Sequence, residues 1–480
     1  MWWIPTSGVG TLIIAFFAII LIRAFLFVPK KQERVEAAPV YVNSEKATAD
    51  LAEMIRCKTV SHSDPTLDDE TEFLKFEQLL PRLFPKVYSK CEFTKLGDRS
   101  LLFKWNGMHH DAPTVLMSHY DVVSVVSEDW EKPAFDGVIE NGLLWGRGTL
   151  DTKATLNGIL QAAEALISEG FIPRQDVYFA FGGNEEVNGD GAVKIVEYFK
   201  EQGITPGAVI DEGGAVATGV FPGVKKPCAV IGIAEKGMLN MEYSVKGGGG
   251  HASSPAPTTP IGRLSRACLN VEKHTFKYRL TKPTKEMFNT LGRHSTFLYR
   301  ILFANLWCFS PILSLYARLS GGELNAVVRT TAAFTQMEGS KGMNVIPPYA
   351  RMVSNHRIIP GETMDSLASE IEKSVKDKKV NCRVISGMNP SVISDMKCEA
   401  WDRVSTTVAE TWQDAIVTPY LMVACSDSRH WGVISDKVYR FSAMALSKEE
   451  RSTIHGNNER IPLATIATVV EFYIRLIKKS

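Results

Sequence analysis

The chain contains no Cys-x-x-Cys pair: its eight cysteines, at 57, 91, 228, 268, 308, 382, 398 and 425, are scattered. That excludes a thiolate zinc finger, argues against a disulfide framework and leaves the redox compartment undecided. Excess charge of either sign is also missing. A net charge of +1 with 22% charged residues offers no basic surface for nucleic acid. There is no Asn-x-Ser/Thr sequon with a non-proline middle residue, no internal repeat and no low-complexity tract. What remains is a balanced globular composition over 480 residues, longer than one ordinary core, so two domains are expected.

One long apolar run stands out, Gly8 to Pro29, interrupted only by Thr11 and Arg23. Its length suits a bilayer span of about 20 residues, and Arg23 can snorkel towards an interface. A cleaved signal peptide competes, but no basic residue precedes the run, which is long for a signal core. Residues 1–30 therefore read as a single-pass membrane anchor and 31–43 as a polar linker. The orientation is contested. Arg23, Lys30, Lys31 and Arg34 follow the span and favour a cytosolic continuation, as does the lack of a sequon.

From Ser44 the periodicity is helical, with Ala47, Leu51, Met54 and Ile55 on one face. The stretch that organises the rest is Ala180-Phe181-Gly182-Gly183-Asn184-Glu185-Glu186. Val177 to Phe181 reads as a buried strand broken by two glycines, and two adjacent carboxylates follow its exit. Neighbouring residues leaving a strand point different ways, so one glutamate can ligate a metal while the other takes a proton from water. On its own, Glu-Glu is usually a solvated pair.

Its company is more informative. The strand Thr114–Met117 ends in Ser118-His119-Tyr120-Asp121, a metal-ligand type with a carboxylate two residues on. A glycine-rich turn, Trp145–Leu150, delivers Asp151 at the start of a helix, Ala154 to Ser168. The strand Gly207–Ile210 ends in Asp211-Glu212, and Ser452-Thr453-Ile454-His455 lies in a loop before the last helix. Each has a bland reading as a cap or a surface group. Together they place acids and histidines past the C-terminal ends of apolar strands, where open α/β sheets build active sites. Oxygen and imidazole donors without thiolate, plus a spare carboxylate, suit a hydrolytic zinc site.

These ordered motifs resemble the co-catalytic di-zinc metallopeptidase family of aminoacylase and carboxypeptidase S, in particular the carboxypeptidase S and N-fatty-acyl-amino-acid synthase/hydrolase branch. The resemblance runs from about Ser44 to the C-terminus. It implies two Zn2+ ions per chain, one held by His119, Asp151 and Asp211 and the other by Asp151, Glu186 and His455. It further implies that Asp121 orients His119 and that Glu185 is the general base. Many relatives carry a second aspartate after the bridging one, joined by a cis peptide. Thr152 stands there instead, which leaves the ligand intact and puts the local geometry in question. The resemblance also favours a lumenal location over a cytosolic one.

The fold class expected is α/β: a mixed-sheet zinc-peptidase catalytic domain, 44–236 and 391–480, with an inserted α+β ferredoxin-like lid at 237–390. Within 237–390 the pattern reads strand (Met238–Val245), helix (from about Thr259), two strands (near Val327–Thr335 and Ala350–Ile358), helix (Met364–Val375) and strand (Val380–Ile385). By resemblance, His251 on the glycine-rich Gly247–Gly250 loop stabilises an oxyanion, often across a homodimer formed through the lid. Asn344 and Arg357 match positions holding a substrate carboxylate, and an arginine fork suits that task. Arg429, in Ser426–His430, resembles a further substrate-facing residue.

The expected activity is hydrolysis, or reverse condensation, of the amide bond of N-acyl amino acids bearing a free carboxylate. A carboxypeptidase or dipeptidase stays open, as does a catalytically silent membrane-tethered binding protein. A long insertion, roughly Lys273 to Glu323, carries the aromatic stretch Phe297–Phe309. It reads either as a packed lid helix or as a groove for a long acyl chain. Arg300, Asn305, Pro311 and Arg318 speak against a second span.

Overall fold

A computed structural model describes residues 6–29 and 37–480. Much of the expected linker, and the flanking basic residues Lys30, Lys31 and Arg34, lie outside the described residues.

Apolar segments of five to eleven residues assemble into an eight-stranded mixed sheet. Its order is Glu92–Leu96, Ser100–Trp105, Gln175–Gly182, His109–His119, Ala208–Ala217, Val438–Ala445, Cys228–Glu235 and Ile416–Met422. The central strands are parallel: Met117 pairs with Ala180, and Leu116 with both Phe179 and Ile210. Both faces are covered, so both parities of each strand are apolar. Leu116 joins one core with Leu160, Val469 and Tyr473, while Val115 and Met117 join the other with Ile195 and Phe199. Gly158 allows the helices Lys153–Ser168 and Leu463–Lys478 to touch, since a Cβ there would meet Val469 at 2.4 Å.

The lid is a four-stranded antiparallel sheet ordered Thr331–Glu338, Tyr349–Ile358, Gly237–Lys246 and Asn381–Met388. The helices Pro260–Lys273 and Met364–Val375 cover it, giving the ferredoxin-like arrangement. Thr259 and Thr363 cap those helices with their hydroxyls. The second lid strand starts at Thr331 rather than near Val327, because Val327 and Val328 are buried in a different core.

That core is formed by the insertion. Its helices Lys282–His294, Phe297–Ala304, Leu306–Ser320 and Gly322–Ala326 do not pack on the lid sheet, as a lid helix would. Phe288, Leu291, Phe303 and Leu313 pack with Phe221, Ile416 and Tyr420, at the edge of the catalytic sheet. The N-terminal helix Thr6–Leu26 rests on the same insertion, where Arg23 donates to the Ala304 carbonyl at 2.9 Å. One stretch of that helix, Val9–Leu26, is long and apolar enough to cross a membrane, a test that signal sequences also pass.

Candidate metal centre

Three strand ends and two loops converge on one point. His119 closes its strand, and its Nδ1 donates to the Asp121 backbone carbonyl at 3.0 Å, leaving Nε2 aimed inward. Nε2 lies 3.1 Å from Asp151 Oδ1 and 3.6 Å from Glu212 Oε1. His455 reaches in from the opposite side, its Nε2 3.0 Å from Asp151 Oδ2 and 3.0 Å from Glu186 Oε2. Asp151 therefore turns one carboxylate oxygen to each histidine. The donor atoms of His119, Asp151 and Glu186 lie within 4.8 Å of one another, as do those of His119, Glu185 and Glu212.

The surroundings fix these groups. The Asp121 carboxylate accepts the backbone N–H of Glu185 and of Glu186, each at 3.1 Å, and the Ser61 hydroxyl at 2.6 Å. Asp121 thus holds the glutamate loop as well as His119. Asp151 sits on a turn held by Glu459, whose carboxylate accepts the Leu150 N–H at 2.7 Å and the Asp151 N–H at 3.3 Å and pairs with buried Arg147 at 2.6 Å. The Asp151–Thr152 peptide is cis, and the Thr152 hydroxyl bonds that of Ser118 at 2.6 Å. The threonine thus occupies its place without disturbing Asp151.

Charge balance calls for cations here. Burial pushes the Glu185 carboxyl well above its ordinary range; His119 opposes this, while Asp427, Asp121 and Glu186 add to it. Glu212 is raised strongly by burial and by Asp151, and Glu186 by burial against the His455 hydrogen bond. Burial pulls His119 down, but the Glu212, Asp121 and Asp151 carboxylates win and hold its imidazolium well above the usual value. His455, bonded to Asp151 and Glu186, rises to about 10. Carboxylates that repel one another, around histidines held by them, are stabilised by bound divalent cations. Glu186 Oε1 is also buried with no hydrogen-bond partner, an orphaned acceptor on a residue of this cluster. The residues fit bound metal.

Asp211 departs from its expected place. Its carboxylate accepts the Ser428 N–H at 2.9 Å, and the carboxylate facing His119 belongs to the next residue, Glu212. Successive strand residues alternate sides, so only one of the pair can face the centre. His251 is not among the clustered donors: it lies exposed on a short lid ribbon, bonded to the Ser253 hydroxyl. Asn344 lies beside it, its carbonyl accepting the Ala252 N–H at 2.9 Å. Arg357 donates to Cys425 Sγ at 3.2 Å and to Asn355 at 3.1 Å. Arg429 donates to Asn188 at 3.0 Å, and its Nε and Nη1 are buried without an acceptor. Sequence reasoning missed Glu212, Glu459 and buried Asp427, which burial pushes up to about 7. Glu212 and Asp427 lie inside motifs singled out above and Glu459 four residues past His455, but nothing in the local sequence ranks them.

An α/β sheet with histidines and carboxylates gathered around a shared aspartate at its strand ends defines a metallohydrolase. The chain belongs to the peptidase family M20/M25/M40, whose model matches residues 115–479. It is 36% identical over 481 residues to the N-fatty-acyl-amino acid synthase/hydrolase PM20D1 of Xenopus tropicalis, covering 98% of this chain and 93% of that protein. A probable carboxypeptidase S-like 2 of Dictyostelium discoideum is 33% identical over 486 residues, with the same coverage. Among solved structures, the M20 family metallo-carboxypeptidase Sso-CP2 of Sulfolobus solfataricus shares the fold. The TM-score is 0.67 at 15% identity, over 90% of this chain and 98% of that one.

Proposed function

We propose that the protein is a membrane-anchored, di-zinc amidohydrolase that cleaves, and in reverse forms, the amide bond of N-acyl amino acids with long acyl chains. The observation that carries this reading is a cavity of about 640 Å³ whose lining mixes aromatic and aliphatic side chains with Ser320, Glu323 and Arg451. It begins at Gly213 and Gly214, directly after Glu212, and runs between Phe221, Met287 and Leu291 to Tyr299 and Tyr316 of the insertion. Its size falls within the roughly 300–1,000 Å³ of small-molecule sites.

His119, Asp151 and Glu212 would hold one metal ion, and Asp151, Glu186 and His455 the other. When bound, such ions acidify water and polarise a carbonyl oxygen. Glu185 takes the proton of the attacking water and returns it to the leaving amine nitrogen. Asp121 keeps Glu185 and His119 in register. Arg357 and the unpaired nitrogens of Arg429 suit the free carboxylate of the amino-acid half, and Asn344 of the lid is a further candidate for it. His251, exposed on the lid, would serve the centre of a second protomer in a homodimer, as an oxyanion donor. The N-terminal helix stays as the anchor in this reading, packed on the insertion through Arg23 and the Asn305 amide. Protease protection of sealed vesicles decides between a lumenal and a cytosolic catalytic domain.

The test offers the zinc-loaded full-length protein N-acyl amino acids of increasing chain length beside dipeptides, read by mass spectrometry. Each buried methylene is worth about 0.8 kcal/mol, roughly fourfold, so kcat/KM should climb with acyl length until the cavity is full. A flat profile, or faster dipeptides, makes the protein a peptidase. No turnover of either makes it a binding protein.

A further inference from the structure

The helices Phe297–Ala304 and Leu306–Ser320 are apolar enough together to span a bilayer, yet they meet at 108° and form an elbow. The elbow is fastened along the N-terminal helix at successive heights. Trp307 meets Phe16 with ring centroids 6.0 Å apart, Asn305 binds the Ile20 carbonyl at 3.1 Å, Ala304 receives Arg23, and Phe297 meets Phe25 at 4.8 Å. From Phe16 to Leu26 is ten residue steps, roughly 15 Å, about half of a hydrocarbon core of about 30 Å. If the helix spans, the elbow descends into the bilayer with it.

The elbow is built for that position. Backbone polar groups in lipid must find partners within the protein. At the bend the Asn305 side chain donates to the Ile20 and Ile301 carbonyls, and its own carbonyl accepts the Cys308 and Phe309 N–H groups. The outward face instead carries Trp307, Ile312, Leu315 and Leu319, each 57–77% exposed. A contiguous apolar face of this kind marks a binding or membrane surface. The cavity reaches the same face: Tyr299, Tyr316 and Ser320 line it and are themselves exposed. Tyrosines at such a rim suit the headgroup level.

We propose that the elbow seats on the lipid bilayer and that the cavity mouth opens against it, so that acyl substrates dissolved in the membrane enter sideways. The entry route rests on the acyl-chain reading above; the lipid contact does not.

Two measurements test this on the full-length protein in phosphatidylcholine vesicles. The fluorescence difference between wild type and Trp307→Phe isolates Trp307. It should be quenched by brominated acyl chains and shielded from aqueous iodide. Quenching by iodide alone overturns the lipid contact. Shielding from both means that a second copy or another protein covers the elbow, and overturns it equally. For entry, the double variant Leu315→Glu/Leu319→Glu changes residues that do not line the cavity. It should lose about tenfold or more in kcat/KM on a membrane-dissolved long-chain N-acyl amino acid and keep its rate on a water-soluble short-chain one. Equal rates of variant and wild type on both substrates, or equal losses on both, overturn lateral entry. Wild type that turns over neither substrate refutes the amidohydrolase reading, and the route with it, while the Trp307 measurement still decides the lipid contact.

Discussion

Asp121 Oδ1 accepts the backbone N–H of Glu185 at 3.1 Å, so the residue two places beyond His119 fixes the loop of the proposed base. Asp121→Asn places an amide where a carboxylate receives several donors. Turnover should fall by about 10–100-fold, the usual worth of a group that orients metal ligands. The loss should lie in kcat with KM little changed, measured on protein of verified metal content.

Glu185 and His455 separate proton transfer from ligation. Glu185→Gln should keep metal near wild-type content, by elemental analysis, while turnover drops by about 10²–10⁴. His455→Ala should lose metal. Metal loss in the first with full occupancy in the second would falsify the assignment.

Glu212 and Asp211 are neighbours with different surroundings, and substitution tells them apart. Glu212→Gln should weaken metal binding sharply, because its carboxylate lies 3.6 Å from His119 Nε2. Asp211→Asn should retain metal and chiefly disturb the Ser428 loop that it anchors. The reverse pattern would restore Asp211 as the ligand.

Arg357→Lys keeps a charge and removes the fork. Substrates with a free carboxylate should weaken, while their C-terminal amides, already poor for wild type, should change little. Wild type that cleaves amides and acids equally well would remove this role.

Lys236, near Arg357, gives a pH signature of its own. Burial and then the Arg357 guanidinium pull it down to about 7 from 10.5. Between those values the unfolded chain binds the extra proton, so stability rises with pH there; below about 7 the cost of the buried charge is constant. Relative to Lys236→Met, wild type should gain up to roughly 1.4 kcal/mol per pH unit between about pH 7 and 10. Parallel thermal midpoints of the two across that range would show that Lys236 stays charged on the Ala326 and Arg329 carbonyls it binds.

Much of the catalytic architecture could be read directly from the chain. Apolar runs ending in His119, Glu185-Glu186 and Asp211-Glu212 are short-range patterns, and strand exits of a parallel sheet gather such residues without further information. The lid was legible for the same reason, through alternation and the capping Thr259 and Thr363. The choice between Asp211 and Glu212 was not, because the Ser428 N–H that holds the buried Asp211 carboxylate is over 200 residues away. Glu459 looked like any loop acid until the sheet brought the Leu150 and Asp151 N–H groups to it. The insertion was misplaced by the packed-helix reading because its partners, Ile416, Tyr420 and the N-terminal helix, are distant in sequence.

The strand Val438–Ala445 lies between Ala208–Ala217 and Cys228–Glu235 in the sheet, although about 220 residues separate it from the first of these. Chains grow at about 5–20 residues per second, so the slot between those strands waits roughly 10–45 s for its occupant during synthesis. Throughout that interval the two flanking strands meet only where Val216 and Ala217 pair with Ala229 and Cys228, and the chain lacks His455. Activity therefore appears only once both Val438–Ala445 and His455 have been translated, since a shorter nascent chain has neither the closed sheet nor the complete centre.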